Sequence, residues 1–185
     1  MSEETNKSSH ELFHGSNMVV ENPEIRVGGR NKYFPEREIT YEDLKFVCYM
    51  IERTARNIHQ PNRYVVEHMG KDEIIRNLSL ADALHCENPD DVADRWKSEY
   101  NLQNGNTNVL DVDKDLTPVS PTTIQMGKVY ARLIQSTKRQ DEDYADGIIR
   151  VYHSPICQQI DNYNSSAYYE PSYVITRAYN QGSFN

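Results

Sequence analysis

Residues 40–58, TYEDLKFVCYMIERTARNI, carry the clearest structural instruction in the chain. Thr40 precedes an acid three places on, Asp43, in the pattern by which a hydroxyl and a carboxylate each accept a backbone N–H at a helix start. Leu44, Val47, Cys48, Ile51, Ala55 and Ile58 then recur at the three- and four-residue spacing of one helical face. The spacing predicts a long amphipathic helix, and the neighbouring segments extend it into a bundle. Pro61-Asn62 opens a shorter helix bearing Val65, Val66 and Met69, which Gly70 ends. Lys71 to Leu84 continues with a break near Ser79. Asn88-Pro89-Asp90-Asp91 has the order of cap, proline and acids that suits the positive end of a helix, with Val92, Ala93 and Trp96 facing inward.

Outward from this bundle the pattern changes in both directions. Upstream, residues 1–10 read as a polar leader and 11–36 as a small extended segment, with Leu12-Phe13 and Met18-Val19-Val20 as two strand arms before the Gly28-Gly29 turn. Downstream of the 37–103 module, residues 104–120 are rich in Asn, Asp and Pro and read as a linker or surface loop. Residues 121–185 return to helical spacing. One helix begins at Ser120-Pro121 with Ile124, Val129, Leu133 and Ile134, and another spans Asp141 to Tyr152. Pro155 and Pro171 mark two short helices with a tyrosine-rich seam. The expected fold class is mainly α, a helical bundle with a small N-terminal β segment.

Bulk properties limit the functions open to such a chain. A chain of 185 residues forms one domain or two small ones and can bury roughly 70% of its unfolded surface. The net charge is −8 with no basic arm or stripe, which argues against a grip on phosphate backbones and suits a basic protein partner. Cys48, Cys86 and Cys157 are three widely spaced cysteines without a C-x-x-C pair, so neither a disulfide framework nor a thiolate metal site is expected. With no apolar signal region and no run long enough to span a bilayer, the expected setting is the cytoplasm, without membrane contact.

The stretch with a chemical character is Leu12-Phe13-His14-Gly15-Ser16, where a glycine beside an imidazole lets main chain approach a flat ligand. His14-Gly15-Ser16-Asn17, followed by Val20-Glu21, Pro23 and Ile25, resembles the opening of bacterial ADP-ribosyltransferases related to poly-ADP-ribose polymerases. The resemblance implies NAD as cofactor, with His14 on a ribose hydroxyl, Gly15 and Ser16 beside the nicotinamide, Tyr33 stacked on its ring and Glu170 as the catalytic carboxylate. Two departures stand against it. Gly28-Gly29 precedes Tyr33 by several residues, and the proline after Glu170 disfavours a central strand. Residues 41–103 resemble a second bacterial helical module found beside such transferases, through Leu44-Lys45-Phe46-Val47, Tyr49, Ile51-Glu52 and Asp82-Ala83-Leu84-His85; no catalytic role accompanies it.

Other patterns point to architecture. His85 and Cys86 are helix neighbours that diverge by about 100° and cannot pair as base and nucleophile. Asp111-Val112-Asp113-Lys114-Asp115 opens like a calcium loop but has Leu116 where glycine is required and Thr122 where a bidentate glutamate belongs, so no metal is expected. Tyr163, Tyr168, Tyr169 and Tyr173 offer either an internal seam or a partner-binding face, since tyrosine supplies contact area at small entropic cost. The reading that joins these points is a non-catalytic acidic regulator, carried by a mobile element, that binds another protein and inhibits a basic nucleic-acid-handling enzyme. An NAD-dependent transferase is the alternative, and direct nucleic-acid binding is disfavoured.

Overall fold

A computed structural model describes residues 28–184. These form seven α-helices and one short 3-10 helix around a common apolar core, and the protein is mainly helical. The leader, both arms of the extended segment and the His14-Gly15-Ser16 motif lie outside the described residues. Between residues 28 and 36 no strand forms, and the sole β element among the described residues is an antiparallel bridge between Arg30 and Glu38.

Helix α1, Tyr41–Asn57, is the central strut. Its capping box is complete: Thr40 Oγ1 accepts the Asp43 N–H at 3.3 Å and Asp43 Oδ2 accepts the Thr40 N–H at 2.7 Å. Leu44, Val47, Cys48, Ile51, Ala55 and Ile58 are all buried, and so are Phe46 and Met50, because α1 is covered on several sides. Helix α2, Asn62–His85, bends at Gly70, whose φ of 68° and ψ of 172° lie in a region open almost only to glycine. The helix runs unbroken through Ser79, contrary to the expected interruption. Ser79 Oγ accepts the Lys32 N–H and its carbonyl accepts the Asn31 side-chain N–H, both at 3.0 Å, so the serine's polar groups tie the preceding segment to the helix instead of competing with it.

Helix α3, Pro89–Glu99, starts as its sequence implies, with Asn88 capping Asp90 and Trp96 buried. Helix α4, Thr123–Ser136, starts later than Ser120-Pro121, at a second capping box made by Thr122 and Gln125. Its core face is Met126, Tyr130, Leu133 and Ile134, while Ile124 is exposed. Gly127 decides that orientation: a Cβ there would meet the Tyr49 backbone at 2.7 Å, so α4 crosses α1 at closest approach on its glycine. Helices α5 (Tyr144–Tyr152), α6 (Pro155–Ile160) and α7 (Ser172–Gln181) complete the bundle, with the 3-10 turn Ala167–Tyr169 between the last two.

The polar stretch after α3 is held to the core. The Gly105 N–H donates to the Ile58 carbonyl at 2.8 Å, the Thr107 N–H to His59 at 2.9 Å, and the Thr117 hydroxyl to the Tyr163 carbonyl. Helices from both sides of it share one core cluster. No helix among the described residues is long and apolar enough to cross a membrane.

Candidate functional site

The four tyrosines anticipated as one face separate into two environments. Tyr163 is 1% exposed and therefore leaves the partner-facing set; its hydroxyl donates to Glu52 at 2.7 Å and accepts from Arg56 at 2.8 Å. Burial and the adjacent Glu52 carboxylate push its phenol well above the ordinary range. Tyr168 is half-buried with its ring edge-on to Tyr163 at 5.2 Å. Tyr169 and Tyr173 stand in solvent at 82% and 71% exposure. The 3-10 turn and the proline-initiated α7 cause the split, because successive residues of a tight turn must point in different directions.

Tyr168, Tyr169 and Glu170 line one wall of a groove of about 490 Å³ between α4 and the start of α7. Met126, Val129, Leu133 and Ile175 form its apolar floor, and Val119, 82% exposed, stands at the rim. Lys128 and Arg132 project one helical turn apart on the α4 side, and neither forms an ion pair among the described residues. Arg132 lies close to the Tyr41 hydroxyl. Glu170 accepts a hydrogen bond from Ser166 at 3.0 Å. Tyr33, 45% exposed, is no part of this groove; it sits in the Asn31 turn over α2, its backbone N–H donating to Asn31 Oδ1 at 3.0 Å. Glu170 and Tyr33 are thus held by different parts of the fold, and His14, Gly15 and Ser16 lie outside the described residues.

A second polar centre is one the sequence reading passed over. Glu52 on α1 is 1% exposed and accepts from Arg56 Nε at 2.6 Å, from Tyr163 and, at 2.6 Å, from Asn62 Nδ2. The same amide donates to both oxygens of Asp161 at 3.2 Å, and Tyr130 donates to Asp161 Oδ1 at 2.5 Å. Burial, followed by repulsion from Glu52, pushes Asp161 up to about 7. Two carboxylates are therefore joined through one asparagine with a single guanidinium to balance them. Sequence held one clue: Glu52 falls four residues after Cys48 and three before Ala55, on the apolar stripe itself.

The cysteines are free. Cys48 and Cys157 are buried, burial driving the Cys48 thiol up to about 12, whereas Cys86 is exposed. Asp113 in the acidic loop accepts the Asp115 N–H at 2.9 Å, and no trio of metal-ligating side chains gathers among the described residues. Compared with protein-family models, with curated proteins and with solved structures, the chain matches none of them.

Proposed function

We propose that this protein is a non-catalytic, protein-binding regulator of the cytoplasm whose docking face is the α4–α7 groove and its tyrosine rim. The observation that carries this reading is the exposure of Tyr169, Tyr173 and Val119 beside an apolar groove, the composition of an interface core on a surface otherwise rich in charge. The groove is flanked by Lys128 and Arg132, so the segment that enters it is apolar and carries no cation. The partner's basic surface meets the acidic residues outside, first Asp111, Asp113 and Asp115 on the loop that runs to Val119. A net charge of −8 adds long-range attraction for such a partner. A basic nucleic-acid-handling enzyme, whose phosphate groove an acidic face would occupy, is the partner class that fits this chemistry.

The test is binding of the purified chain to a defined panel of basic nucleases and DNA-binding proteins at about 50 and 300 mM salt. The expected result is a complex that weakens as salt rises and is lost in the double variant Tyr169→Ser/Tyr173→Ser. A panel with no salt-sensitive complex overturns the reading. Calorimetry with NAD separates the alternative: a regulator gives no heat, while saturable heat favours the transferase.

A further inference from the structure

The loop of residues 107–112 is clamped at both ends. Thr107 is tied to His59, and beyond the loop the Asp113 N–H donates to Asn164 Oδ1 at 2.8 Å. Held this way, it stands over the α5–α6 corner and leaves a cleft of about 520 Å³, within the range of small-molecule sites and built from anchored backbone.

The charges around this cleft are unevenly matched. Arg63 and His153 lie in its wall, and both turn to Glu67, at 2.6 and 3.3 Å. Glu52, behind the wall, is matched by Arg56 at 2.6 Å. Asp161, in the wall, receives only uncharged donors, Tyr130, Cys157 and Asn62, and forms no ion pair among the described residues. Asp111 adds an exposed carboxylate on the loop side. One buried hydroxyl completes the picture. Tyr152, fully buried and part of the cleft wall, has a hydroxyl without a well-formed hydrogen bond, the Cys48 thiol lying beside it. Buried polar atoms are seldom left unbonded, because each forfeits its hydration. Val109 and Val112 supply an apolar flank.

We infer that this cleft binds an organic cation, an ammonium or guanidinium group on a short apolar stem, with Asp161 as its counter-ion. The cation supplies the charge that Asp161 lacks and a partner for the Tyr152 hydroxyl, while the stem packs on the valines. The site stands apart from the α4–α7 groove, and the inference does not rest on the regulator reading. Such a cation arises from a free small-molecule amine or guanidine or from a basic side chain of a bound protein.

Binding requires ionised Asp161. Glu52, Tyr130 and Cys157 act on its charge directly, and the other titratable groups around it are Arg56 on α1, Arg63 on α2, Tyr152 on α5, His153 just after α5, Tyr163 and the loop's Asp111. With Asp161 near 7, about nine-tenths of molecules are competent at pH 8 and about one-tenth at pH 6, so affinity falls about tenfold between them.

Calorimetric titration of the full chain with agmatine, and in parallel with an acetylated, amidated Gly-Arg-Gly peptide, tests this at pH 6 and pH 8. Saturable binding at pH 8, about tenfold weaker at pH 6, is expected. Asp161→Asn should abolish it, Tyr152→Phe should weaken it severalfold, and Asp94→Asn on the exposed face of α3 should leave it unchanged. Binding of agmatine identifies a free small-molecule cation as sufficient, and binding of the peptide alone identifies a side chain. Absence of binding by both probes, equal affinity at the two pH values, or unchanged binding in both Asp161→Asn and Tyr152→Phe overturns the inference.

Discussion

Asp161 makes the stability of this protein depend on pH in a direction opposite to that of most carboxylates. An aspartate in an unfolded chain titrates near 3.9, and here burial and Glu52 raise it to about 7. The native state therefore binds more protons than the unfolded state between these values, so stability falls as pH rises through that window, by at most roughly 1.4 kcal/mol per unit. Glu142 behaves inversely. Against its partial burial, the Arg150 guanidinium holds it below the usual range, and the stability it contributes is lost only as pH drops under about 4.5. Urea midpoints at pH 5 and pH 8 should show the wild type weaker at pH 8 and Asp161→Asn nearly level. Glu52→Ala should cost about 3–5 kcal/mol in the same assay, since it leaves the Arg56 guanidinium deprived of its buried partner. None of this network was evident from periodicity, which records where apolar residues recur and is silent about a charge whose partner lies 111 residues further on, as Tyr163 does from Glu52. The exposed Tyr169 and Tyr173 were nameable in advance but not separable from Tyr163, because a turn chooses between core and solvent through contacts that composition does not encode.

Helix starts were the most legible features, since capping chemistry is local. Thr40 and Asn88 each cap where their neighbours imply, whereas the helix expected from Asp141 starts at Tyr144, behind an Asp143 cap. Ser79 and the α4 start depart from the local pattern for a shared reason: serine and proline break helices when unpartnered, and tertiary hydrogen bonds or a better cap two residues later override them. The two informative glycines should respond differently to alanine. At Gly70 a Cβ meets nothing within 4 Å, so Gly70→Ala pays for backbone conformation alone, about 1–3 kcal/mol. At Gly127 the Cβ strikes the α1 backbone, which must move along with its packed core. Chemical denaturation should therefore rank Gly127→Ala as the more damaging, with its loss accompanied by altered near-ultraviolet dichroism from Tyr130 and Tyr152, stacked at 4.3 Å beside that crossing.

For the molecule as a whole, mainly helical architecture followed from the caps and stripes, whereas the way the two helical regions merge did not. Their union rests on α4 lying against α1 and on backbone hydrogen bonds from a polar stretch that looks like a linker when read alone. Replacing Tyr169 and Tyr173 by serine should leave the denaturation midpoint within about 0.5 kcal/mol of wild type, because both rings are already in water, and any partner affinity should fall without loss of fold. The cysteines offer a further consequence. Cys86 at the end of α2 is open to solvent, while Cys48 and Cys157 lie sealed within the core with their thiols held protonated. An alkylating reagent should thus mark the native chain once and reach the remaining two sites only through transient openings, so that mass spectrometry of the second and third labels times the breathing of the interior.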